Sequence, residues 1–178
     1  LSSIGLIGAD PATTILRWGG SAGGTLMSIR GVNYSQFNRL TFDGNNSAAI
    51  LVDQDWISAQ GGNFDTGNEY TDDVFKNATS VAFRCGLHEG CADTSMIRDQ
   101  FINNFVGAFV VNQNALNLYF WYCLFQSNSY AVSNVYPGPA APNSQFHVFN
   151  SVFLNSLVSD ITYGNIVAAT FRNNYSIG

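Results

Sequence analysis

Ile97-Arg-Asp-Gln-Phe101-Ile-Asn-Asn104, Trp121-Tyr-Cys-Leu-Phe125-Gln-Ser-Asn128 and Phe149-Asn-Ser-Val-Phe153-Leu-Asn155 share one outline. Each sets an apolar or aromatic residue four positions before a phenylalanine, then an asparagine within three positions after it. Phe171-Arg-Asn-Asn-Tyr175 continues the outline. Leu40-Thr-Phe42 before Asn45, and Val74-Phe75 before Asn77, extend it toward the N-terminus. The marked rings at 42, 75, 101, 125, 153 and 175 are 33, 26, 24, 28 and 22 residues apart. A repeat of that period is one supersecondary unit, too small to bury its own apolar face, so the units must stack.

Each unit reads as short strands joined by tight turns, as in Val106-Gly-Ala-Phe-Val-Val111 and Ala115-Leu-Asn-Leu-Tyr-Phe120. Constant strands with variable spacing predict an all-β, single-stranded right-handed parallel β-helix of six or seven coils, because insertions go into the turns. Asparagine suits a turn residue at positive φ and can stack in side-chain ladders. An antiparallel sandwich of short strands is the competing fold.

Composition agrees. Asparagine occurs 20 times, once more than Asp, Glu, Lys and Arg together, and charged residues are only 11%. Helices prefer Ala, Leu, Glu and Lys on exposed positions, and this chain is poor in such charge. A net charge of −5 with one lysine excludes nucleic acid as a partner, which requires clustered basic residues. No apolar run reaches the length of a membrane span. The chain opens and closes in strand-like runs, which reads as one β-helix domain over residues 1–178 within a longer or processed chain. Pro137 to Pro142 reads as a stiff turn insertion.

Ile4-Gly-Leu-Ile-Gly-Ala-Asp-Pro-Ala-Thr-Thr-Ile-Leu16 and Tyr34-Ser-Gln-Phe-Asn-Arg-Leu-Thr-Phe-Asp-Gly44 resemble the start of pectate-lyase-superfamily β-helix proteins. Asp65-Thr-Gly-Asn-Glu-Tyr-Thr-Asp-Asp-Val-Phe-Lys76, with Asn155 to Gly178, is similar to a bacterial branch of that superfamily. The resemblance implies a secreted or cell-surface protein acting on, or binding, polysaccharide. It does not carry a reaction residue by residue. Of the hydrolase motifs only an Asp-Asp pair, Asp72-Asp73, is present, and no lyase signature surrounds Arg84.

Charge is uneven along the chain. Seven of the 12 acids lie between Asp43 and Asp73, whereas Asp160, Arg172 and His147 are the only such ionisable residues after position 99. Three roles fit the acidic stretch: a solvated loop, a Ca²⁺ site built from carboxylate oxygens, or the acid and base of a polysaccharide-cleaving site. Asp53 and Asp55, two apart on a strand, share a face. The catalytic candidates are Asp53, Asp55, Asp72, Asp73, Arg84 and His88, with Asp65, Glu69 and Lys76 as substrate contacts.

In Cys85-Gly-Leu-His-Glu-Gly-Cys91, three arrangements compete. A Cys85–Cys91 disulfide would pin a turn that displays His88. A metal site lacks a fourth ligand, and free thiols are the third option. Cys123, within an aromatic strand, reads as a core thiol. Tyr119 and Trp121 alternate outward and either shield a flank or stack on sugar rings, and His147 faces solvent by the same alternation. Two functions follow. One is a polysaccharide hydrolase, lyase or binding protein, with Ca²⁺ as a possible cofactor. The other is a non-catalytic structural, adhesive or filament-forming solenoid, whose unsealed strand ends favour a homo-oligomer stacked end to end.

Overall fold

A computed structural model describes residues 3–60, 62–111, 114–135, 144–164 and 168–178. The Pro137–Pro142 segment lies outside these. Strands of three to six residues stack into three parallel sheets. The first face stacks Gly5–Ile7, Gln36–Asn38, Glu69–Thr71, Ser95–Ile97, Leu118–Trp121, Gln145–Phe149 and Ala168–Arg172. The second stacks Ile15–Arg17, Thr41–Asp43, Val74–Lys76, Gln100–Ile102, Leu124–Gln126, Val152–Leu154 and Tyr175–Ile177. The third stacks Thr25–Arg30, Ile50–Asp55, Val81–Cys85, Val106–Val110, Tyr130–Ser133 and Ser159–Thr162. Cys91–Ala92 and Ala115–Leu116 form a small fourth pair. Taken in order, the strands make six coils and the first two strands of a seventh. Every ladder is parallel, which makes the chain a β-helix and removes the sandwich.

The repeat is the register of the second face. Phe42, Phe75, Phe101, Phe125 and Phe153 are Cα partners on successive coils. Their rings stack 5.0, 4.9, 4.8 and 5.1 Å apart, within 13° of parallel. Strand spacing sets that distance. All five rings are buried, each contributing about 1.5–3 kcal/mol by burial, with offset stacking adding about 0.5–1.5 kcal/mol per pair. Phe37 and Tyr70 stack likewise in the core of the first face, 4.6 Å apart.

Tyr175 does not continue the column. Ser176 is the partner of Phe153, and Tyr175 pairs with Val152 and is exposed. A shift of one residue moves every side chain to the opposite face of a strand. Phe171 opens that unit in the same shifted register, beside Val148 rather than Phe149.

Each corner is turned by a residue at positive φ followed by an inward one. Between the first and second faces the pairs are Arg39-Leu40, Asp72-Asp73, Arg98-Asp99, Tyr122-Cys123, Asn150-Ser151 and Asn173-Asn174. Between the second and third faces Asn77, Asn103, Ser127 and Asn155 take the left-handed conformation. Asparagine pays less than other non-glycine residues there, because its short side chain bonds locally. Asn104 and Asn128 follow inside that corner. Asn104 donates from its backbone N–H to Asn128 Oδ1 at 3.0 Å, and Ala78 donates to Asn104 Oδ1 at 2.9 Å.

Candidate functional site

The third face gathers four of the six catalytic candidates. Along Ile50–Asp55, Gln54 points inward and accepts a hydrogen bond from the Tyr70 hydroxyl at 3.0 Å. The alternation therefore sends Asp53 and Asp55 outward together. Asp53 is the Cα partner of Arg84 on the next coil. Arg84 Nε donates to Asp53 Oδ1 at 2.7 Å, and Arg30 from the preceding coil donates to Asp53 Oδ2 at 2.5 Å. One carboxylate thus lies between two guanidinium groups. Burial works to raise the Asp53 pKa, but the bonds and charges of Arg84 and Arg30 prevail and hold it below the usual carboxylate range. The terminal nitrogens of Arg84 make no hydrogen bond among the described residues, so they remain available as donors.

Asp55 is fully buried and organises the turn after Val81–Cys85. It accepts the backbone N–H groups of His88 at 2.8 Å, Glu89 at 3.3 Å and Gly90 at 3.1 Å. Its Oδ2 also lies 2.5 Å from His88 Nδ1. The His88 side chain is 50% exposed, and the carboxylate orients its ring at Nδ1. Cys85 and Cys91 are bonded across the same turn, with Cα atoms 5.9 Å apart. Glu89 accepts from the backbone and hydroxyl of Ser58 at 2.6 and 2.8 Å, tying the turn to the segment after Asp55. Trp56 and Phe64 pack edge to face beside it, centroids 5.4 Å apart. A histidine whose Nδ1 is fixed by a buried carboxylate can accept a proton at Nε2.

The remaining candidates lie elsewhere. Asp72 and Asp73 are parted by the coil wall. Asp72 faces outward and is held by Arg98 through two bonds of 2.7 and 2.8 Å, which keep its pKa low. Asp73 is buried and accepts the Leu40 N–H at 2.7 Å. Asp65 is buried too and accepts from Gly31 and Val32 at 3.0 and 2.9 Å; burial nonetheless raises its pKa to about 7. Glu69 stands on the outer first face, bonded by the Thr71 hydroxyl at 3.1 Å. Lys76 lines a shallow groove of about 300 Å³ on the outer second face, with Asp10, Ile15, Val74 and Gln100. The three substrate candidates therefore sit in three separate places. Among the described residues no three His, Cys, Asp or Glu side chains converge as ligands.

Arg30 is the site residue that sequence reasoning missed. Its signal was a position one coil before Asp53 and Asp55, with which it shares the outer side. Tyr119 and Trp121 do face outward, and they stack on His147 and Phe149 of the next coil at 5.0 and 4.2 Å. His147 lies on the outer side as expected, yet this stacking half-buries it, and burial lowers its pKa. Tyr119 and Trp121 each turn one ring face to the neighbouring coil. Cys123 is a buried free thiol.

No family model, curated protein or solved structure matches the chain significantly. The structure shows the β-helix architecture, and no comparison adds a family to it.

Proposed function

We propose that the third-face cluster acts on an acidic polysaccharide by a lyase-type elimination, in keeping with the superfamily resemblance. The observation that carries this reading is the Asp55–His88 pair on a disulfide-bonded turn, beside an arginine with spare donors. In this reading the terminal nitrogens of Arg84 receive the carboxylate of a sugar acid, which acidifies the C–H next to it. His88 Nε2 takes that proton. A C=C bond forms, the C–O bond on the adjacent carbon breaks, and the leaving glycosidic oxygen takes a proton from water. Paired-carboxylate hydrolysis has less support, because Asp53 and Asp55 are both buried and spend their oxygens on Arg30, Arg84 and the 88–90 turn. The disulfide supports a secreted or surface location.

The test is release of unsaturated ends, read by ultraviolet absorbance, from a panel of polyuronides. His88→Gln should lower turnover at least about 100-fold, the usual range for losing a general base, while oligosaccharide affinity is kept. Arg84→Gln should weaken binding. Binding without turnover by the unaltered protein would reduce the site to a binding surface. Neither binding nor turnover across the panel overturns the reading.

A second reading rests on the two ends. Ile4, Leu6, Ile7 and Ile15 are exposed at one, and Leu157, Val158, Tyr163, Phe171 and Tyr175 at the other. A cavity of about 460 Å³ lies between Phe153, Ile161, Tyr163, Phe171 and Tyr175. Parallel strands of a second copy would cover such ends, giving the head-to-tail contact of a structural solenoid. Light scattering that shows monomers alone at high concentration would exclude it.

A further inference from the structure

The inward corner asparagines Asn68, Asn104, Asn128 and Asn174 follow one hydrogen-bonding rule, and two aspartates in equivalent positions break it. Asn174 accepts the Ser151 N–H on Oδ1 at 2.9 Å and donates from Nδ2 to the Val148 carbonyl at 3.0 Å. Asn68 accepts from Ser35 and donates to Val32. Asn104 accepts from Ala78 and donates to Phe75, and Asn128 accepts from Asn104 and donates to Phe101. In all four, the side chain bridges to the preceding coil, and its donor serves the carbonyl three residues before the N–H it accepts. Cys123 supplies the donor half of this pattern, its thiol reaching the Met96 carbonyl at 3.4 Å.

Asp73 and Asp99 occupy the same corner column. Asp73 Oδ1 accepts the Leu40 N–H at 2.7 Å, and Asp99 Oδ1 accepts the Asp73 N–H at 2.8 Å. Their Oδ2 atoms are buried and have no hydrogen-bond partner. By the asparagine rule these atoms stand where Nδ2 stands, and the carbonyls three residues back are those of Phe37 and Tyr70. Phe37, Tyr70, Met96, Phe120 and Val148 form one register column, so these carbonyls are the counterparts of the ones that Cys123 and Asn174 serve. A carboxylate oxygen set against a carbonyl oxygen is repelled, whereas a carboxylic acid donates to it.

We propose that Asp73 and Asp99 are neutral carboxylic acids in the folded protein, each replacing an asparagine and donating its proton to the carbonyl of Phe37 and Tyr70 respectively. The pair makes the corner between the first and second faces sensitive to pH. The surrounding titratable groups are Asp72, Arg98 and Arg39 on the outer side, with Glu69 near Arg98, and the Tyr70 hydroxyl and Cys123 thiol toward the core. Burial pushes Asp73 up to about 7, and burial together with the Asp73 charge pushes Asp99 well above the carboxylate range. Raised acids stabilise the fold fully below the unfolded value of 3.8, and that stabilisation is lost as pH climbs through the folded value.

The experiment compares melting temperatures of the unaltered chain and an Asp73→Asn/Asp99→Asn double variant at pH 4.5 and 8. The unaltered chain should melt lower at pH 8 than at pH 4.5. The double variant should lose most of that difference and exceed the unaltered chain at pH 8 by about 5 °C or more. A variant that melts lower than the unaltered chain at pH 8, with the same pH slope, overturns the proposal. Infrared spectra at pH 6 decide independently of whether the double variant folds. A protonated-carboxyl C=O band that persists in an Asp65→Asn variant, since Asp65 is also raised to about 7, supports the proposal, and carboxylate bands alone overturn it.

Discussion

Coils 1–4 and coils 5–6 share one outline and are fastened by different chemistry. In the lower coils the outer side carries Arg17–Asp43, Arg30–Asp53–Arg84, Asp55–His88 and Arg98–Asp72. In coils 5 and 6 the outer first face carries Tyr119, Trp121, His147 and Phe149 in two stacks, and the inner corners carry Asn128 and Ser151. The backbone geometry is unchanged between them. In these coils the polar inward corner residues Asp73, Asp99, Asn104, Asn128, Ser151 and Asn174 each accept an N–H from the preceding coil, and one column of apolar side chains fills the core. Whether an acid, an amide or a hydroxyl provides the acceptor is free to vary, and the choice decides how the coil responds to pH and salt.

This comparison can be broken at individual residues. The largest effect in the lower coils is expected for Asp53→Ala, which strands two largely buried guanidinium groups. It should cost about 3–5 kcal/mol in urea unfolding, as broken buried pairs do. Phe125→Ala is its counterpart above and should cost a similar 3–5 kcal/mol or so through the cavity left between Phe101 and Phe153. The two should differ in salt dependence, which only Asp53→Ala should alter. Asn128→Ala should cost about 1–3 kcal/mol, because it leaves the buried Asn104 N–H without its acceptor. Asp72→Ala should cost less than about 1 kcal/mol, since its bridge to Arg98 is exposed and screened. A large loss from Asp72→Ala and none from Asp53→Ala would reverse the division between wall and core.

Much of the fold was legible because strand register leaves a spacing signal. The rings at 42, 75, 101, 125 and 153 are both the repeat and the core stack. Tyr175 was misread because the residue at its register position is serine, and a neighbouring ring imitated the pattern one place off. The asparagine excess was legible as turn chemistry, since Asn77, Asn103, Asn117, Asn150, Asn155 and Asn173 all lie at positive φ. The site was legible in part. Asp53 and Asp55 share a strand, and Arg84 follows one coil later, so simple alternation brings them together. Asp72-Asp73 reads in sequence as a paired-carboxylate motif. It is in fact a corner dipeptide, an outward residue at positive φ followed by an inward one, and a single sequence gives no local cue to that difference.

The division of labour among the acids is tested most directly by titrating aspartate side-chain carbons by NMR in the folded protein. Asp43, Asp53 and Asp72 should titrate below the ordinary value of 3.8, Asp65 and Asp73 near 7, and Asp99 well above 3.8. The low group loses its contribution as pH falls through its folded values, and the high group loses its own as pH rises toward 7, so stability should peak in between. A folded protein in which all of these aspartates titrate together near 3.8 would contradict the account.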